Sequence, residues 1–204
     1  MNSRYLDEVS SVATRMAKVV AVCGMPGSGK GEFAQLMSNH SIPVRSMGDM
    51  VRAEVKLRGV VESPTIYGEV AAQLRAEFGE DVLAVRLADE VDNLLKTNSL
   101  VLIEGMRGTA EYDIFSSRWG ENFSSVAIVA SQDIRYNRTQ MRGRSEDGDY
   151  EQFLIREKRE SGWGLLSLID SSDFHVLNEG TLEEFTDLCN KWLEGFGYLF
   201  DDGI

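Results

Sequence analysis

Five short apolar runs rich in β-branched residues divide the chain, and between them apolar positions recur three and four residues apart. The runs are KVVAVCG (18–24), IPVRS (42–46), SLVLIEG (99–105), SSVAIVA (124–130) and DFHVLN (173–178). Such runs read as buried strands of a parallel sheet. GEFAQLMSNH (31–40) has the helical period, and a long helical stretch from about residue 49 to residue 96 is broken at Gly59, Pro64 and Gly79. That predicts three or four helices there. Tyr5, Leu6, Val9, Val12, Ala13 and Met16 predict a short amphipathic helix over 5–16, an extension (1–17) ahead of the main domain (18–204). Strands alternating with helices predict an α/β fold with a parallel sheet, because right-handed crossovers put helices on both faces. The helical block over 48–97 exceeds what one crossover needs, so it is expected to project as a subdomain.

Composition narrows the function classes. A 204-residue chain, 43% hydrophobic and 26% charged, is about one domain and excludes collagen-like, low-complexity and wholly disordered classes. Its 21 basic against 33 acidic residues leave a formal charge of −12, which argues against nucleic acid and anionic membranes as partners. From Gly162 onward Lys191 is the only lysine or arginine. The two cysteines, Cys23 and Cys189, make neither a disulfide framework nor a zinc site. No apolar run approaches the roughly 20 residues of a membrane span. Asp7 and Glu8 interrupt the stretch a signal peptide needs, so a cytoplasmic location is expected.

The strongest chemical signal lies between the first strand and the next helix: Gly24, Met25, Pro26, Gly27, Ser28, Gly29, Lys30 and Gly31. Glycines let backbone N–H groups converge on a pyrophosphate, a helix N-terminus adds favourable potential, and a lysine supplies a mobile positive charge. The segment follows the phosphate-loop pattern G-x-x-x-x-G-K through Lys30. It then departs, with Gly31 where a hydroxyl would ordinarily reach magnesium.

Further candidates surround that loop. Glu104 closes the third strand, at the sheet end that faces the ligand crevice, where a carboxylate can meet Mg²⁺ through water. Asp49 and Arg52, three apart, point the same way from a helix start, with Arg52 able to fork onto an acceptor phosphate. Ser46 and Asp49 also fit a capping box, with Arg52 simply pairing Asp49. Arg107, two residues past Gly105, aims at the same acceptor group. Arg135, Arg138 and Arg142 share a helical face, and Arg144 continues into a polar, glycine-punctuated stretch suited to a lid over 138–160. Lid arginines neutralise charge in phosphoryl transfer, a role assigned to Arg138, Arg142 and Arg144 more than to Arg135. Arg156 and Arg159, interleaved with Glu157 and Glu160, read equally well as exposed pairs. His40, His175, Cys23 and the tryptophans read as structural.

GMPGSGKG resembles the GxPGxGKGT loop of adenylate kinases and related nucleoside monophosphate kinases through Gly31. SMGDMVRAEV (46–55) looks like their TGDMLRA segment, and LVLIEGMR (100–107) is similar to their strand ending in DGxPR. MRGRSEDGD and the late strand running into NEGTLEEF complete the order. Residues 18–195 are similar to an uncharacterised archaeal family of short P-loop proteins placed between adenylate kinases and dephospho-coenzyme A kinases. The resemblance implies a three-layer α/β/α fold, with a five-stranded parallel sheet in the order 2-3-1-4-5, a helical acceptor-binding insert (48–97) and a short lid. It implies Asp49, Arg52, Gly105 and Arg107 at the acceptor, and Asn178 near the adenine. Departures are Glu32 for threonine, Glu104 for aspartate, and no proline between Gly105 and Arg107.

These features point to an ATP- and Mg²⁺-dependent phosphotransferase acting on a nucleoside monophosphate or similar small acceptor, with room for a homodimer through the N-terminal helix. Two alternatives stay open. In transfer to a ribose hydroxyl, as in dephospho-coenzyme A kinases, Asp49 takes the proton. In a nucleotide-binding regulator, ATP is hydrolysed slowly and a partner protein reads the state.

Overall fold

The computed structural model describes residues 19–144 and 147–196; the helix expected over 5–16, and any pairing through it, lies outside the described residues. The five apolar runs form one sheet: β1 (Val19–Cys23), β2 (Val44–Ser46), β3 (Val101–Glu104), β4 (Phe123–Val129) and β5 (Phe174–Leu177). All neighbours are parallel, in the order β2-β3-β1-β4-β5, with Val19 opposite both Val101 and Phe123. Pro43 cannot donate to a ladder, so β2 begins at Val44, although the Pro43 carbonyl still accepts from Leu102 N at 2.9 Å.

Alternation along the central strand splits the interior in two. Val20 and Val22 face a core formed with α1 (Lys30–Asn39) and α9 (Leu182–Gly195), through Phe33, Met37, Phe185 and Leu193. Val19, Ala21 and Cys23 face the other core, shared with α2 (Met47–Arg58), α3 (Ile66–Phe78), α4 (Val82–Leu95), α5 (Thr109–Trp119) and α8 (Leu165–Asp170). Each fully buried large side chain there contributes about 1.5–3 kcal/mol relative to exposure. A strand buried on both faces must lie at the centre of a three-layer fold, and β1 does.

The insert is three helices, α2 to α4, with left-handed Gly59 (φ +63°) and Gly79 (φ +106°) ending the first two. Val55, Leu74, Leu83 and Leu87 lie in the same cluster as β1 and β3, because the inner faces of these helices carry enough apolar surface to join that core. Two more helices, α6 (Gln132–Arg142) and α7 (Tyr150–Gly162), take up both ends of the 138–160 stretch expected to form a lid. Among the described residues, no helix is long and apolar enough to cross a membrane.

Candidate active site

The loop from Gly24 to Gly29 leaves the C-terminal end of β1 and turns into α1. Gly27 (φ +81°) and Gly29 (φ +105°) hold conformations that L side chains rarely adopt. A Cβ at Gly27 would overlap the Arg135 carbonyl, and one at Gly29 the Asn178 amide, so packing demands glycine as well. The loop is fastened from beneath: Asn178 Nδ2 donates to Ser28 O at 2.9 Å, and Arg135 Nη1 to Pro26 O at 3.1 Å. Arg135 also donates to Ala130 O and pairs with Glu157. Lys30 Nζ donates to Gly24 O at 2.6 Å and Met25 O at 3.1 Å. Burial lowers its pKa to about 8, against the opposing pull of Glu160 and Glu104. A desolvated ammonium bonded to neutral carbonyls gains strongly from phosphate oxygens.

A cleft of about 960 Å³ opens in front of this loop. Pro26, Gly27, Gly29, Lys30, Gly31 and Glu32 line one wall; Asp49, Arg52, Glu104 and Arg107 stand on the other; Arg138, Arg142 and Arg144 close an end. The other predicted residues sit differently. Ser28 is buried in the base of the loop, and Met25 packs against the core. Gly105 (φ +91°) turns the chain after β3, with its N–H bonded to Val22 O at 3.1 Å. Asn178, expected near the adenine, lies beneath the loop. Its amide N–H goes to Ser28 and its Oδ1 accepts from Arg138 at 3.0 Å, so it supports the cradle and does not face the cleft.

Glu104 ends β3 with Oε2 accepting from Ser46 Oγ at 2.7 Å, while Ser46 Oγ caps α2 by accepting from Asp49 N at 3.3 Å. Arg52 Nε and Nη2 both donate to Asp49 Oδ1, at 3.0 and 2.6 Å. Glu104, Ser46 and Glu32 give the cleft hard oxygen donors of the kind Mg²⁺ takes. Among the described residues no group of three or more His, Cys, Asp or Glu could hold a metal by itself. These donors therefore fit an ion shared with phosphates and water. They do not make a protein-only cage.

At the lid end, Arg138 ties down the turn after β5 through Asn178 O (2.9 Å) and Gly180 O (3.3 Å). Arg142 forks onto buried Asp147 at 2.8 and 2.5 Å, and Arg144 N donates to the same carboxylate at 3.1 Å. Burial would raise the Asp147 pKa, but these donors outweigh it and hold it below the usual range.

Sequence reasoning underrated α7. Its buried positions Phe153, Glu157 and Glu160 put two carboxylates on the stripe where apolar residues belong. In the sequence, arginines at pairing distance make both carboxylates look like exposed partners. Glu160 accepts from Arg107 Nε at 3.2 Å and Arg156 Nε at 2.9 Å. Burial alone would raise its pKa, yet Arg107, Arg156 and Lys30 hold it at about 2. Arg107 is also held through its main chain: Glu111 Oε2 accepts from Arg107 N at 2.7 Å, and Glu111 Oε1 pairs with buried Arg75 at 2.6 Å.

A family profile described as an AAA domain matches residues 20–161. The chain is 39% identical over 169 residues to a UPF0200 protein of Methanosarcina barkeri, covering 82% of this chain and 90% of that one. Two solved structures share the fold at low identity. One is a Thermus thermophilus protein (TM-score 0.56, 18% identity, 88% of this chain and 97% of that one). The other is shikimate kinase from Acinetobacter baumannii in complex with shikimate (TM-score 0.54, 14% identity, 90% and 95%).

Proposed function

The chain belongs to the UPF0200 family and has a P-loop kinase-like fold, and from that footing we propose that it transfers the γ-phosphoryl group of ATP to a nucleoside monophosphate or a similar small phosphorylated acceptor. One observation carries the reading: a phosphate loop with a buried lysine shares a single cleft with a second wall that presents Arg52 and Arg107 beside Asp49 and Glu104. A site that only hydrolyses ATP has no use for that second wall.

Lys30 and the loop amides hold the β- and γ-phosphates, and Arg52 and Arg107 hold the acceptor. An acceptor phosphate oxygen attacks the γ-phosphorus as the bond to the β–γ bridging oxygen breaks, releasing ADP. That oxygen is already ionised at neutral pH, so no general base is needed. Arg142 and Arg144 cover the transfer and neutralise charge on the oxygens in flight. Glu104 would help to hold Mg²⁺, which would supply further charge neutralisation.

The test is ADP release with Mg·ATP across a panel of nucleoside monophosphates, for the wild type and for Lys30→Met. Acceptor-dependent release that Lys30→Met abolishes supports the reading; tight ATP binding with no acceptor dependence sinks it. A hydroxyl acceptor is the second reading. Asp49 lines the cleft, and both its bonds to Arg52 go through Oδ1, which leaves Oδ2 to receive a proton. Asp49→Asn then costs orders of magnitude in kcat, whereas an orienting Asp49 mostly raises the acceptor KM.

A further inference from the structure

Beside the main cleft, α2, α3 and α7 enclose a smaller cavity of about 50 Å³. Gly48, Arg52, Arg107 and Arg156 border both spaces, so the cavity is a side chamber of the acceptor wall. An apolar cavity of about 150 Å³ accepts a benzene ring, so this one takes a group of a few heavy atoms and no nucleobase.

Among the described residues, Arg52, Arg107, Arg156 and Arg159 line the chamber with one carboxylate, Glu160. Glu160 already serves Arg107 and Arg156, Asp147 also pairs with Arg156 at 3.6 Å, and Arg52 is bonded to Asp49. Arg159 forms no ion pair among the described residues, and its Nε is buried without a hydrogen-bond partner. Burial lowers its pKa, and the neighbouring Arg156 and Arg107 push the same way against Glu160 and Glu69.

The surrounding structure nonetheless holds this guanidinium in place. It lies against Gly68 of α3, where a Cβ would overlap Cζ and both terminal nitrogens. It sits 6.0 Å from the centre of the Trp163 ring, and Arg75 stacks on that ring at 4.2 Å. A missing side chain on α3 and a braced aromatic keep a guanidinium with no direct ion pair among the described residues on the lining of a small chamber.

We propose that Arg159, backed by Arg107 and Arg156, is an oxyanion subsite that reads an acidic group of the acceptor distinct from the one held at Arg52. The group is a phosphate monoester or a carboxylate, since both present the coplanar oxygens a guanidinium fork matches. The word acceptor rests on the phosphotransferase reading, whereas the anion subsite stands on the chamber itself.

The experiment is calorimetric titration of the full chain with its phosphate loop filled by Mg²⁺ and a non-hydrolysable ATP analogue. The probes are inorganic phosphate, AMP and shikimate. At least one probe is expected to bind, and Arg159→Met to weaken it tenfold or more while analogue affinity stays within twofold. Arg159→Lys recovers part of the loss, and Gly68→Ala, which displaces the guanidinium, reproduces it with circular dichroism unchanged. A preference for phosphate and AMP over shikimate assigns the phosphate monoester; the reverse assigns the carboxylate. In turnover, Arg159→Met raises the acceptor KM with kcat unchanged. Equal probe affinities in the wild type and Arg159→Met, or no binding of any probe to the wild type, overturn the proposal. If the analogue fails to bind while Arg159-dependent phosphate binding persists, the donor reading falls and the subsite stands.

Discussion

On the donor wall, consecutive residues between β1 and α1 make the whole cradle, largely from backbone, with Asn178 and Arg135 bracing it from below. On the acceptor wall, Arg52 comes from α2, Arg107 from the turn after β3, and Arg156 and Arg159 from α7, with Glu160 between them. The first wall is specified by glycine geometry and tolerates little change in shape. The second is specified by charge balance among side chains brought from separate elements. One substitution there can change what is recognised without touching the fold.

Four measurements press on that contrast. Lys30→Met removes the cradle's only lysine, and kcat/KM for ATP is expected to fall about 10³-fold, the scale of losing a charged donor to an oxyanion. A loss below tenfold would mean that the backbone carries the donor wall alone. Next, Glu160→Ala leaves Arg107 and Arg156 without their shared counter-charge and is expected to destabilise the protein by about 3–5 kcal/mol in urea unfolding. The same group has a signature in acid. With a folded pKa of about 2 against 4.5 ordinarily, Glu160 contributes stability above pH 4.5 that disappears as the pH falls towards 2. Glu160→Gln should flatten that part of the stability profile.

The third measurement concerns Lys30. At about pH 8 the empty protein begins to release its proton, and bound phosphates favour the charged form. ATP affinity should therefore hold steady below pH 8 and fall above it, by up to about tenfold per pH unit. At pH 9, calorimetry in buffers of different ionisation enthalpy should register proton uptake on binding. The smallest effect belongs to Gly31→Ala. An added Cβ there meets nothing within 4 Å, and helix propensity favours alanine by about 1 kcal/mol, so a slightly raised Tm with ATP binding intact is expected.

The same contrast explains what could be read from the chain. The five strands, the helix breaks at Gly59 and Gly79 and the phosphate loop are local signals, each carried by neighbouring residues. Glu160 and Arg159 could not be read that way, because a glutamate four residues from an arginine on a helix looks the same buried or exposed. Gly68 gave no sign at all, since its reason is a guanidinium on another helix. In the insert, periodicity reveals an apolar face and not what covers it, which is the cluster shared with β1 and β3. Asn178 was put near the adenine by resemblance alone, and its two amide contacts put it under the loop.

Glu157 and Glu160 stand about one turn apart on a single rigid rod. The first grips the arginine that steadies the triphosphate cradle, and the second grips the pair that awaits the other substrate. One helix therefore fixes the spacing between the two grips, and in the proposed transfer a single element sets donor and acceptor in register.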